Sequence, residues 1–261
     1  MNLVVTTIYK PSASIEQSAS ELAQKLAAPL VKREKNSLET ISNDYATANI
    51  LVVTKTGPVV HTPDGQYFFH INMAELRINN LINGKHDHMV AALGITAGDR
   101  VLDCTLGLGS DAIVVSYVVG KTGLVVGMET TPLIATVTAL GLQQYNASSI
   151  EVTSAMRRIT VETADYNDYL DLLPDNSFDV VYFDPMFRIP VYSSSNLKPL
   201  RTLADHRPLS LAAVTKARRV ARRRVVVKET KNSKEFARLG MTTVLGGKYS
   251  RVHYGVLEVG C

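Results

Sequence analysis

The chain reads as a doubly wound α/β protein, with a mostly parallel seven-stranded sheet and a small N-terminal α+β lobe. Three observations predict this. The stretch Arg100 to Thr130 runs strand, glycine-rich turn, helix, strand. Apolar runs then keep alternating with helix-spaced segments as far as Lys228. Finally, two apolar runs, Thr242 to Leu245 and Val252 to Val259, flank the turn Gly246-Gly247-Lys248 and predict a closing antiparallel pair.

Length and composition suit this class. A chain of 261 residues has room for one domain of about 180 residues beside a smaller one. The expected division is 1–84 for the lobe and 85–261 for the sheet domain. A hydrophobic share of 46% with 20% charged residues is that of an ordinary globular protein. No 18-residue apolar run predicts a membrane span. The opening residues MNLVVTTIYK lack the pattern of a secretory signal. Cys104 and Cys261 suggest neither a disulfide framework nor a zinc site, so a reducing cytoplasm is the expected compartment.

Charge is unevenly spread. The formal net charge is +4, yet Pro185 to Arg238 carries 14 Lys or Arg against 3 Asp or Glu, and the remainder 14 against 21. A basic segment on a mildly acidic body is the footprint of a phosphate-rich polymer partner. The plainer reading is a solvated helix face.

In chain order, Leu3 to Ile8 is a β-rich run. Ser14 to Ala28 places Ile15, Leu22 and Leu26 on one helical face and ends at Pro29. Ile50 to Val53, Val59 to Thr62 and Gln66 to Ile71 are strands separated by Gly57-Pro58 and Pro63-Asp64-Gly65, which reads as a hairpin cluster. Met73 to Leu93 is helical with a break near Asn83-Gly84. The cluster Lys85-His86-Asp87-His88 supplies too few ligands for a metal, and no metal is expected.

The Arg100 to Thr130 unit carries the chemistry. Asp103 stands at the tip of the first strand. Gly107 and Gly109 lack a Cβ, so the backbone can turn tightly and approach a ligand. Ser110 and Asp111 suit the cap of the following helix. Glu129, twenty positions after Gly109, ends the second strand where a carboxylate can accept bonds from two ribose hydroxyls. Gly107-x-Gly109-x-x-Ala112 satisfies the relaxed dinucleotide fingerprint, but a carboxylate at Asp103 would repel a pyrophosphate. It would attract the ammonium and sulfonium of S-adenosylmethionine, which is therefore the favoured cofactor.

Pro132 to Gln144 is the next helix and Arg158 to Glu162 the third strand. Asp165 follows, suited to accept the adenine amine or to cap the helix Tyr166 to Leu173. Phe178 to Phe183 is a buried strand ending in Asp184-Pro185-Met186-Phe187. That tetrapeptide suits a planar amine. Asp184 and the Pro185 carbonyl can accept both amine hydrogens, leaving the nitrogen lone pair free, while Phe187 can stack on a base. Arg188 to Arg207 lacks a period and reads as a mobile loop over the site. Ser210 to Ala221 is a helix, Val225 to Lys228 the fifth strand with Lys228 placed to face substrate phosphate or base, and Glu229 to Leu239 a helix.

The blocks DCTLGLGSDA, MET, YFDPMF, RRVVVKET and KYSRVHYGV resemble, in order, those of the bacterial adenosylmethionine-dependent methyltransferases that modify guanine N2 in small-subunit ribosomal RNA. The resemblance runs from about Gly84 to Gly255, more loosely over the lobe. It departs from the family where an arginine is replaced by Ser110, at Thr130, and across Thr163 to Tyr166. It implies a class I, Rossmann-like methyltransferase fold. It implies that Ser110, Asp111, Glu129, Thr130, Asp165, Tyr166 and Asp184 lie around the cofactor, which with Asp103, Thr105, Gly107 and Gly109 of the glycine turn makes the expected cofactor site. Asp184, Pro185 and Phe187 would be catalytic, and Phe187, Arg188 and Lys228 would meet the substrate. Ribosomal RNA or the small subunit is the implied partner. Adenine N6 or a protein amide as acceptor, a nicotinamide-dependent oxidoreductase and a noncatalytic RNA-binding module are the rival readings.

Overall fold

The computed structural model describes residues 2–186 and 198–260. Phe187 and Arg188, both expected at the acceptor site, lie outside the described residues.

The N-terminal lobe holds β1 (Leu3–Thr7), α1 (Ala13–Lys25), α2 (Leu38–Asp44), β2 (Asn49–Thr54), β3 (Gly57–Thr62) and β4 (Gly65–Phe68). Its sheet runs β1-β2-β3-β4. Only β2 to β4 form the expected hairpins. β1 pairs parallel with β2, and residues near Leu30 add a parallel bridge on the other side of β1. Ile15, Ala19 and Leu22 of α1 pack on one face of this sheet, with Val5 and Leu51. Ile41 of α2 packs on the other, with Val4 and Val52. The lobe is thus a small doubly wound unit extended by a hairpin. The sequence reading omitted α2. Its seven residues start where the Ser37 side chain caps the Thr40 amide.

Two helices, α3 (Asn72–Ile82) and α4 (His88–Leu93), lead to the larger sheet. It is built from β5 (Arg100–Asp103), α5 (Ser110–Val119), β6 (Leu124–Glu129), α6 (Pro132–Gln144), α7 (Ile150–Arg157), β7 (Ile159–Thr163), α8 (Tyr166–Leu172) and β8 (Phe178–Phe183). It continues through α9 (Lys198–Leu203), α10 (Leu211–Val220), β9 (Ala221–Thr230), α11 (Glu235–Arg238), β10 (Thr243–Leu245) and β11 (Val252–Glu258). The strand order is β10-β11-β9-β8-β5-β6-β7, with five parallel strands and an antiparallel closing pair. Side chains alternate across it. Val101, Val125, Val180 and Tyr182 face α3, α4, α5 and α7. Leu102, Val126, Val181 and Phe183 face α8 and α10.

Three elements differ from expectation. β9 runs to Thr230 because His253 and Tyr254 of β11 pair with Glu229 and Lys228, which leaves α11 only four residues. α7 forms between β6 and β7, capped by Ser149. Inside the segment read as a loop after Arg188, Lys198–Leu203 are helical.

The lobe and the larger sheet share an apolar cluster in which Leu3, Val5 and Leu51 meet Leu133, Ile134 and Val137 of α6. Gly141 of α6 makes this contact possible, since a Cβ there would lie 1.9 Å from the Phe69 ring.

Candidate active site

β5 pairs with β6 on one side and with β8 on the other, so a crevice opens at its carboxyl end. The turn after β5 is held by backbone and by Glu129. The Leu106 amide donates to the Met128 carbonyl at 2.8 Å, and the Gly109 amide to the Leu106 carbonyl at 2.7 Å. Gly107 and Gly109 both take positive φ, 53° and 75°. Glu129 is buried, and its carboxylate accepts the Gly107 amide at 3.2 Å and the Thr131 amide at 2.8 Å. Burial pushes Glu129 above the usual carboxylate range, against the pull of those two amides.

A cleft lies here, with about 520 Å³ of empty space counted out to its open mouth. Of the residues singled out in the sequence, Thr105, Gly107, Glu129, Thr130, Tyr166, Asp184 and Pro185 line it. A Cβ on Gly107 would meet no protein atom within 4 Å, so bare backbone faces the ligand space. Cys104, Met128, Met186, Leu200, Ala204, Asp205 and Arg207 also line it.

The other singled-out residues stand beside or behind the cleft. Asp103 is 3% exposed, and its Oδ1 accepts the Thr105 amide at 3.0 Å. Burial pushes its pKa up to about 8, and the carboxylates of Asp111 and Asp184 add to the rise. Asp165 caps α8 through the Asn167 amide at 2.8 Å and meets Arg207 at 2.7 Å. Arg207 also binds Asp205, so this acid–base cluster borders the cleft beside Tyr166. Neither Ser110 nor Asp111 caps α5, as the sequence suggested. Gly109 is the N-cap, with no side-chain bond, and Asp111 is turned inward.

That inward turn completes a line of alternating charges. Asp87 caps α4 and is bound by Arg77 through two bonds of 2.8 and 2.9 Å. Arg77 reaches Asp111 at 2.5 Å, and the Tyr182 hydroxyl donates to Asp111 at 2.7 Å. Lys228 bridges Asp111 at 2.9 Å and Asp184 Oδ2 at 2.7 Å. Its ammonium, expected to face substrate, is therefore committed to two carboxylates, and the side chain is only 18% exposed. Burial opposes the charge on Asp111, but Lys228 and Arg77 hold its pKa well below the usual range. Burial pushes Asp184 up to about 6, while Lys228 pulls it down and Asp111 raises it. The Asp184 amide donates to Thr105 Oγ1 at 2.5 Å, fixing the chain at this turn. Asp184 keeps 29% side-chain exposure, and its Oδ1 takes no donor among the described residues.

Sequence reading missed Arg77, Tyr182, Asp205 and Arg207. Arg77 and Tyr182 meet Asp111, and Arg207 meets Asp165, from far along the chain, and Asp205 enters only through its neighbour Arg207. Among the described residues no group of three or more His, Cys, Asp or Glu is arranged to hold a metal. Among the same residues no helix is long and apolar enough to cross a membrane.

The strand order, the glycine turn after β5 and the carboxylate ending β6 define a class I, Rossmann-like methyltransferase fold. Residues 62–254 match the model of the family described as "Putative SAM-dependent methyltransferase", and the chain belongs to that family. It is an adenosylmethionine-dependent methyltransferase. It is 40% identical over 256 residues to "Uncharacterized protein YpiP" of Bacillus subtilis (strain 168), covering 98% of this chain and 99% of that one. It is 29% identical over 272 residues to "Ribosomal RNA small subunit methyltransferase J" of Coxiella burnetii (strain RSA 331 / Henzerling II), covering 99% of each. The crystal structure of the SAM-dependent methyltransferase NGO1261 from Neisseria gonorrhoeae shares the fold, with a TM-score of 0.66 at 17% identity, over 98% of this chain and 95% of that one.

Proposed function

We propose that this protein methylates the exocyclic N2 amine of a guanine in small-subunit ribosomal RNA, in the cytoplasm. The observation that carries the acceptor assignment is the Asp184 carboxylate at the cleft, with one oxygen pinned by Lys228 and the other taking no donor among the described residues. Like-named relatives support ribosomal RNA as the polymer. In this reading residues 85–261 are the catalytic domain and 1–84 an accessory lobe.

The residues present fit S-adenosylmethionine. Glu129 would receive the ribose hydroxyls, Asp103 the ammonium, and the bare Gly107 backbone would lie along the ligand. Thr105, Ser110, Thr130, Asp165 and Tyr166 would complete the surroundings. When bound, this cofactor supplies an electrophilic methyl group. The chain's own task is to hold the amine. Asp184 Oδ1 and the Pro185 carbonyl accept its two hydrogens, so the lone pair points into the cleft. Asp184 then takes up the proton that the nitrogen sheds. Lys228 keeps that carboxylate ionised near neutrality and fixes its rotamer. Phe187 would stack on the splayed-out base, which must leave its helix to reach the cleft. Positioning of this kind accounts for most of the rate.

The test is a labelled-methyl assay on small subunits lacking the modification. Asp184→Ala should lose at least about 100-fold in kcat, while calorimetry shows cofactor affinity within a few-fold of wild type. Wild-type activity in that variant would remove Asp184 from the mechanism. Since Asp184 titrates near 6, kcat should fall as pH drops below about 6. Label in protein rather than RNA would redirect the acceptor to an amide.

A further inference from the structure

The lobe carries a second cleft at the carboxyl end of β1, with about 1200 Å³ of empty space. Its position follows from topology. Chain leaving α1 returns beside β1 at Leu30, whereas chain leaving α2 returns on the opposite side as β2. A crevice opens where the two connections diverge, as it does at β5. The walls are fixed by backbone: the Val31 amide donates to the Val5 carbonyl at 2.8 Å, and Thr6 Oγ1 donates to the Val31 carbonyl at 2.7 Å.

Lys10, Lys32, Arg33 and Lys35 line the cleft, and none makes an ion pair with another described residue. Glu16 and Glu34 also line it, which leaves a net charge of +2. Tyr9 is 57% exposed at its edge. By contrast, at least eight of the thirteen cations among the described residues between Pro185 and Arg238 are paired with carboxylates: Arg207, Lys216, Arg219, Arg222, Arg223, Arg224, Lys228 and Arg238. The segment that looked most like a polyanion footprint is largely neutralised. The lobe, which did not stand out in the sequence, presents unpaired charge. Ile8, next to Tyr9, and Met186, beside Asp184 and Pro185, pack against one apolar cluster, which joins the second cleft to the acceptor side.

We propose that this cleft binds a single-stranded segment of the RNA substrate, with Lys10, Lys32, Arg33 and Lys35 on phosphates and the Tyr9 ring stacked on a base. The proposal rests on the RNA-methyltransferase reading above. Cations without carboxylate partners along a groove, with the Lys10 ammonium 5.6 Å from the centre of the exposed Tyr9 ring, suit a strand without sequence preference. A lone nucleotide would use only part of a groove this large.

The test uses the full-length protein with Lys32→Gln/Arg33→Gln/Lys35→Gln combined, and Tyr9→Ala separately. Tyr9, Lys32 and Lys35 are exposed and Arg33 is half-buried, and unchanged melting confirms folding. On unmodified small-subunit RNA the triple variant should raise KM at least tenfold and leave kcat and cofactor affinity unchanged. Anisotropy with a fluorescein-labelled 12-nucleotide RNA should show the slope of log K against log salt flattened by about 2, at roughly 0.7 per lost phosphate contact. Tyr9→Ala should weaken the same RNA about tenfold. Unchanged KM and salt slope in a wild-type-active system would overturn this inference alone. Full displacement of the RNA probe by millimolar inorganic phosphate would also overturn it, by showing a simple anion site. If wild type binds RNA through these residues but methylates none, the functional reading fails and this one stands.

Discussion

At the carboxyl edge of the larger sheet, charges from Asp87 through Arg77, Asp111 and Lys228 to Asp184 are tied side chain to side chain. At the carboxyl edge of the smaller sheet, four cations stand open around a cleft with more than twice the empty space. Both clefts occupy topological switch points, so architecture alone does not separate them. What separates them is desolvation. Charges removed from water need partners, and once paired they hold one geometry, which suits chemistry on a small group. Charges left in water cost little and adapt to a flexible polyanion.

The largest effect that would break this contrast comes from Lys228. Lys228→Met leaves Asp111 and Asp184 facing each other, and urea unfolding should show a loss of about 3 kcal/mol. Methyl transfer should fall with it, whereas Lys228→Arg should keep most of both. A stable, active methionine variant would show that the buried line of charges is dispensable.

Next comes the joint between the regions. Gly141→Ala drives a Cβ into the Phe69 ring and should destabilise by about 1–3 kcal/mol. Phe69→Ala in the same chain should recover part of that loss, and simple additivity in the double-mutant cycle would refute the contact.

Asp103 sharpens the contrast through pH. Its folded pKa of about 8 lies above the unfolded value of about 3.9, so this carboxyl destabilises the unliganded fold increasingly as pH rises from about 4 to 8. An arriving ammonium reverses that by favouring the carboxylate. Cofactor binding at pH 7 should therefore release close to one proton, and affinity should rise up to tenfold per pH unit toward pH 8. Calorimetry in two buffers of different ionisation enthalpy reads the proton directly, and Asp103→Asn should abolish its release.

The smallest effect is expected in the second cleft. Lys32→Ala should change stability by no more than about 0.5 kcal/mol, because an exposed, unpaired lysine holds nothing in place. A larger loss on melting would mean that the cleft is built like the catalytic one.

Much of the surroundings of the cleft after β5 was legible in the chain because it is local. Asp103, Gly107, Gly109 and Glu129 fall within one strand-turn-helix-strand unit whose spacing is set by backbone geometry. Asp184 and Pro185 end a strand that its apolar run announced. Asp111 was misread because a short polar residue after Gly109 satisfies the local rule for a helix cap. Only tertiary contact reveals that Arg77 and Lys228, 34 and 117 residues away along the chain, claim its side chain. The basic segment misled for the same reason. Composition counts charges along the chain, whereas a partner meets the field left after Asp99, Asp171, Asp175, Asp179 and Glu258 have folded against it.

The sequence by itself determined the order of the strands and of the longer helices, the glycine turn and the carboxylates at the strand tips, because each depends on near neighbours and on periodic burial. The tertiary structure alone decided which charges are paired, which cleft holds open cations, and how the lobe meets α6. Those outcomes depend on side chains brought together from distant parts of the chain, and on how much water is removed where they meet.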